Sequence, residues 1–166
     1  MMPVRNNSGQ QFRLPGRWIG QQPQDVVYTL REAGHEVYDF KNPRPGDHGF
    51  QWSEIDTDWQ KWKAGQFISA LNHPIAIAGY ALDFNAMLQA DACVLVMPCG
   101  RSAHIEAGYF VGANKPLFIL LSDGEPELMY NMATGVCESI EQVCRMIDAR
   151  RPVFCKIGGE WQQASQ

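Results

Sequence analysis

The sequence predicts an α/β fold, a single doubly wound domain in which helices cover both faces of a mainly parallel sheet. Three observations carry that prediction. Two segments, "ACVLVMP" (92–98) and "KPLFILLS" (115–122), are apolar almost throughout, as strands are when both sheet faces are covered. Helical patterns alternate with them. The connecting stretches carry the Gly, Pro and Asp residues that interrupt regular structure.

In chain order, "PQDVVYTLREAG" (23–34) sets Val26, Val27, Leu30 and Ala33 on one helical stripe, with Gly34 placed to cap the C-terminus. "HEVYDF" (35–40) is a short strand rich in β-formers, and "KNPRPGDHGFQW" (41–52) is a loop. "SEIDTDWQKWKAGQFISALN" (53–72) reads as a helix capped by Ser53, with Trp59 and Trp62 at turn spacing. "HPIAIAGYALDFNAMLQAD" (73–91) is a second helical segment before the first apolar strand. "CGRSAHIEAGYFVGANKP" (99–116) opens a helix before the second. "SIEQVCRMIDARR" (139–151) closes the pattern, with Ile140, Val143, Cys144 and Ile147 on one stripe. Residues 1–11 are expected to be disordered and 150–166 to form a C-terminal tail, leaving 1–166 as one domain without repeat or linker.

The 166 residues can build a genuine core, and 45% hydrophobic with 19% charged residues suits a soluble globular protein. A net charge of −4 offers no footprint for a nucleic-acid polymer. No apolar run approaches the roughly 20 residues that span a bilayer. The N-terminus "MMPVRNNSGQQ" lacks the apolar core of a signal peptide. Five cysteines without a C-x-x-C pair point to reduced thiols and a cytoplasmic location. The four histidines are scattered, so neither a metal nor another cofactor is expected.

In doubly wound sheets, ligands bind beyond the carboxyl ends of the strands, where loops run into helix N-termini. Three loops qualify: the one around Phe12–Pro15, "DFKNPRPGDHGFQW", and "PCGRSAH". The third brings backbone N–H groups, Arg101, Ser102 and His104 to one helix start, which suits an anion. Glu106 is expected in that first turn, where the helix dipole favours its ionised form. It either stabilises the helix start, which spacing alone favours, or attacks a carbon with oxocarbenium character. Cys99 is a candidate thiolate lowered by the same dipole, but no His or Asn partner is assignable, so a packed thiol is the first reading. "GYFVGANKP" does not fit phosphate-loop spacing, and Gly108 and Gly112 are expected to let the helix pack closely on the sheet. Phe50, Trp52, Trp59 and Trp62 read first as core, although the adjoining Gly-Pro loop admits a ligand contact.

Three phrases together, "GHEVYDFKNPRPGDHGFQWSEID", "DFNAMLQADACVLVMPCGRSAHIEAGYFVGANKP" and "PELMY", resemble the nucleoside 2-deoxyribosyltransferase family, from about Gln22 to Met132. The resemblance implies a flavodoxin-like domain that cleaves the N-glycosidic bond of 2′-deoxynucleosides or their 5′-monophosphates. Glu106, in H-x-E-x-G with His104, would attack the anomeric carbon and form a deoxyribosyl ester. Asp83 would protonate or position the leaving base, while Asp91 is structural. A second base accepts the sugar in the transferases and water accepts it in the hydrolytic relatives.

By the same resemblance, Gly100, Arg101 and Ser102 form the loop that holds a 5′-phosphate in phosphate-selective relatives. Arg13, in "FRLPGRW", stands where the family's first strand carries a tyrosine against the nucleophile, and Gly16 follows at the strand end. Gly100 also stands where transferases tend to place an acid. Asp39, Phe50 and Trp52 are the expected substrate contacts from the second loop. The family works as symmetric oligomers with shared pockets. "DGEPELMYNMATG" is therefore expected to expose Leu128, Met129, Tyr130 and Met132 in a homodimer or higher homo-oligomer, with Met129 or Asn131 near the partner's sugar site. The expected partners are a small-molecule nucleoside or nucleotide and further copies of the chain. A nucleotide-binding module without turnover and a cysteine hydrolase using Cys99 are the alternatives from other classes.

Overall fold

Every side chain of the strand Ala92–Val96 is buried, and its two faces feed two separate cores. The computed structural model describes residues 1–6, 23–122 and 127–149, with the backbone of 154–157 and 160–163. Ala92–Val96 (β3) lies in a five-stranded sheet with β1 (Met2–Asn6), β2 (His35–Val37), β4 (Leu117–Leu120) and β5 (Gly135–Cys137). The order is β2-β1-β3-β4-β5. β3, β4 and β5 are parallel, whereas β1 runs antiparallel to both neighbours. β2 therefore points the same way as β3, and β1 alone is reversed. The chain is mixed α/β, with a sheet mostly parallel in its core.

Helices α1 (Pro23–Glu32) and α5 (Ile140–Ala149) cover one face of this sheet. Val26, Val27 and Leu30 pack with Val94, Val96, Phe118 and Leu120 and with the α5 stripe Ile140, Val143, Cys144 and Ile147. Both stripes are those that the helical periodicity predicts. On the other face, Met87 of α3 (Pro74–Gln89) and Ala103, Ala107 and Phe110 of α4 (Arg101–Gly112) pack on Cys93, Leu95, Leu117 and Ile119. Helix α2 (Ala64–Ala70) precedes α3. Gly34 closes α1 at φ +82°, where glycine is unstrained. No helix among the described residues is long and apolar enough to cross a membrane.

Two expectations are corrected. Residues 1–11 were expected to be disordered, yet Met2–Asn6 forms β1 and places Met2 and Val4 in the core, because two apolar side chains two residues apart share one face of a strand. Residues 53–72 are not one helix capped by Ser53. Trp52–Glu54 and Trp59–Lys61 are short 3₁₀ turns before α2, and Gln51, whose N–H donates to Glu54, precedes the first. Asp56 explains the break: its carboxylate accepts from the Asp58 N–H at 2.8 Å and from the Trp62 indole at 2.6 Å, bonds that compete with helical ones. Within the C-terminal tail, β6 (Phe154–Ile157) and β7 (Glu160–Gln163) pair antiparallel in a separate sheet.

Candidate active site

Helices α3 and α4 meet through Phe84 and Tyr109, whose rings lie 5.5 Å apart edge to face. Asp83 precedes Phe84 and Glu106 lies one turn before Tyr109, so this contact brings the two half-buried carboxyls within electrostatic reach. Burial holds Glu106 above the ordinary carboxylate range; the Met1 amino group opposes that shift and Asp83 adds to it. Burial likewise raises Asp83, against the Tyr38 hydroxyl, which donates to its carboxylate at 2.7 Å, and with a further push from Asp47. Burial and the Asp83 carboxylate together lift Tyr38 well above the ordinary phenol value.

Tyr38 is a site residue that the sequence reading missed. Its signal was the alternation of β2: His35 and Val37 are buried on the same side, so Tyr38 follows on the opposite side, facing α3.

The start of α4 has Gly100 at the N-cap with no side-chain cap, and Arg101 and Ser102 exposed at the first two helical positions. The opening N–H groups of a helix have no intrahelical partner and favour an anion. Glu106, however, is the sixth residue of α4 and lies in its second turn, so its expected place in the first turn is corrected. The dipole acts mainly within the first turn, and burial dominates instead. The carboxyl binds its proton more tightly than a free glutamate rather than less.

His104 gives Cys99 the partner that the sequence could not assign. Its Nδ1 lies 3.6 Å from Cys99 Sγ and 3.2 Å from the Gly100 carbonyl, while Nε2 lies 3.2 Å from the Tyr130 hydroxyl. Tyr130 donates to Met97 Sδ at 3.3 Å, and Cys99 Sγ lies 3.4 Å from the same sulfur. Burial raises the Cys99 thiol, in keeping with the packed thiol read first and against the alternative of a dipole-lowered thiolate. Tyr130, expected in the exposed interface, is half-buried against His104 with its ring 6.2 Å away and nearly parallel.

Phe50 packs on α3 at Gly79, where a Cβ would come within 2.8 Å of the Phe50 Cβ, one turn from Asp83. Trp52 meets Phe50 edge to face at 4.7 Å and also contacts Trp62 and Phe67. Asp39 turns to its own loop, accepting from the Lys41 N–H and the Asn42 amide. Met129 lines a cavity of about 250 Å³ between α4 and the turn Leu128–Met132, together with His104 and Gly108. Asn131 is exposed and donates to the Leu128 carbonyl. Gly108 and Gly112 are not close-packing glycines, since a Cβ at either would meet nothing within 4 Å. Arg13 and Gly16 lie outside the described residues. Among the described residues, no group of three or more His, Cys, Asp or Glu side chains is placed to hold a metal ion.

No family model matches the chain, and neither a curated protein nor a solved structure matches it.

Proposed function

We propose that the chain is a nucleoside 2-deoxyribosyltransferase-like enzyme that cleaves the N-glycosidic bond of 2′-deoxynucleosides or deoxynucleotides. The observation that carries this reading is the Glu106–Asp83 pair, two desolvated and electrostatically coupled carboxyls on adjacent helices. The working state carries one proton on the pair. Glu106, ionised, attacks the anomeric carbon, and the bond to the base breaks as Asp83 delivers its proton to the leaving nitrogen. An acceptor base then attacks the anomeric carbon of this ester, gives its proton to Asp83 and, as the bond from that carbon to the carboxylate oxygen breaks, frees Glu106. Tyr38 orients Asp83, while Phe50 and Trp52 offer aromatic surface beside it.

A hydrolytic 5′-monophosphate N-glycosidase is the second reading, favoured by the open α4 start with Arg101 and Ser102 exposed. The strand order 2-1-3-4-5 and helices on both faces support a flavodoxin-like classification, from which the reversed β1 departs. Leu128, at 76% exposure, with Met129 and Met132 supports a homodimer or higher oligomer, as do Ile77, Tyr80 and Ile105 on α3 and α4. The free thiols Cys93, Cys99, Cys137 and Cys144 support a cytoplasmic location.

Incubation with deoxynucleosides and deoxynucleotides, with and without an acceptor base, tests the reading. Base release that needs the acceptor is the expected outcome, and release in water identifies the hydrolase. Binding without release in either case overturns both and leaves a nucleotide-binding module.

A further inference from the structure

We infer that Lys115 is a positioning residue for the carboxyl pair: its ammonium clamps the end of α3 to the end of α4 and so fixes how Asp83 faces Glu106. That ammonium donates to three carbonyls around the end of α3, those of Leu88 and Ala90 at 2.8 Å and of Met87 at 3.0 Å. A lysine has three N–H donors and no acceptor, so its whole capacity goes to this one helix end. The last carbonyls of a helix have no intrahelical partner and carry its negative pole, which a cation satisfies. The clamp is independent of the proposed reaction, and only its catalytic purpose rests on that reading.

The other end of the lysine is equally fixed. Asn114 closes α4 in the left-handed region at φ +55°, and its N–H donates to the Val111 carbonyl at 3.0 Å. The Lys115 N–H donates to the Phe110 carbonyl at 2.8 Å. This paired closure sets the direction in which the chain leaves the helix. Pro116 follows, and its carbonyl accepts from the Cys93 N–H at 2.9 Å, which ties the same turn to β3. Lys115 Nζ lies 5.7 Å from the centre of the Phe110 ring.

α3 has little else to hold its orientation. It buries only Ala76 and Met87, so the core leaves its roll about its own axis under-determined. Its contact with α4 through Phe84 and Tyr109 is a single point, about which two helices can pivot. Lys115 supplies a second point about one turn further along α3, and two points fix the angle. A side-chain tip stands about 5–6 Å from the helix axis, so a roll of about 20° carries Asp83 through about 2 Å. A misplacement of about 1 Å can cost about 100-fold in rate. Asp83 feels Asp47 and the Tyr38 hydroxyl, while Glu106 feels the Met1 amino group and Asp83. Lys115 is not among these groups, so its influence on the pair is geometric.

The test is nuclear magnetic resonance of the full-length protein. In the wild type, the Lys115 ammonium protons should be visible near neutral pH, because three carbonyls hold them from exchange. Those of exposed Lys41 should be lost to water. In folded Lys115→Met, α3 is free to move off, so the Glu106 carboxyl should titrate closer to its ordinary value of 4.5 than in the wild type. Lys115→Arg keeps the charge, but a planar guanidinium cannot aim three donors as an ammonium does, so the shift should be smaller in the same direction. It carries the test if the methionine variant does not fold. A lysine that merely adds stability would lower the melting temperature and leave the titration of the folded chain where it was. In a base-release assay, kcat should fall by about 10–100-fold in Lys115→Met with KM within about twofold. Wild-type protein that releases no base overturns the proposed reaction and leaves the clamp standing. Lys115 protons that exchange as fast as those of Lys41, or a Glu106 titration that moves toward its ordinary value in no folded variant, overturn the clamp.

Discussion

The two faces of the sheet are built on different terms. On the α1/α5 side, each helix turns a clean apolar stripe inward, and Leu30 and Val143 are fully buried. On the α3/α4 side, α3 is apolar around most of its circumference yet buries only Ala76 and Met87, while Tyr80 remains 65% exposed. The same side holds the half-buried carboxyls, Tyr38 and the Met97–Cys99–His104 cluster. One face spends its side chains on the core. The other leaves reactive groups desolvated but reachable, and apolar surface without cover, which is what a ligand or a second copy needs.

The sharpest way to break this contrast is Glu106→Ala. Base release should fall by at least about 10³-fold and the covalent sugar adduct should vanish, with the fold intact by circular dichroism. Persistent activity would remove the nucleophile from this face. The reciprocal variant is Leu30→Ala on the other face, where loss of a fully buried side chain should cost about 2–5 kcal/mol in a denaturant titration. Specific activity of the folded fraction should not change. A catalytic loss beyond the unfolded fraction would show that α1 is no mere scaffold.

The same contrast separates what the sequence made legible from what it did not. Both α1/α5 stripes and strands β3 and β4 could be read residue by residue, because periodicity and unbroken apolar runs are local signals. Strand β1 could not: "MPVRN" is short, and its reversed pairing between β2 and β3 depends on chain closure rather than composition. In 53–72 the tryptophan spacing was helical, but the Asp56 turn overrode it. Glu106 and Asp83 were found by motif, while their mutual approach comes from Phe84 packing on Tyr109 across distant segments. Cys99 and His104 are five residues apart, yet only the geometry of the Gly100 cap folds the imidazole back onto the thiol.

Arg101→Ala sharpens the comparison at the anion end of α4. A charge-assisted phosphate contact is worth about 1.5–3 kcal/mol, so the affinity advantage of a 5′-monophosphate over its nucleoside should shrink by roughly 10–100-fold. Equal affinities in the unaltered protein would favour a nucleoside over a nucleotide ligand. Tyr38→Phe should act more gently. The lost hydrogen bond restrains the Asp83 shift, so its removal should raise that carboxyl further and move the alkaline limb of the pH–rate profile upward. The rate at the optimum should fall by about 2–10-fold, the equivalent of a typical hydrogen bond. An unmoved alkaline limb would detach Asp83 from proton delivery, and because the pair is coupled, the limbs belong to the dyad rather than to either residue alone.

Glu106→Gln tests the smallest expected effect, the stability that a desolvated carboxylate forfeits. Burial raises this carboxyl in the folded chain above its ordinary value of 4.5. Folding is therefore favoured most while the group is protonated. That contribution is complete below the ordinary value and is lost as pH rises through the raised folded value. Glutamine keeps the shape without the charge, so the variant should match the parent in acid and become more stable as pH climbs. Toward neutrality the gap should be at its widest, read as a higher Tm for the glutamine variant. The Met1 amino group limits the gap by opposing the shift, and acetylating it should widen the difference. Thermal melts of both proteins across pH 4 to 8 give the answer. A gap that narrows toward neutral pH would mean that α4 stabilises the Glu106 carboxylate after all, and would return that charge to the scaffold side of the comparison.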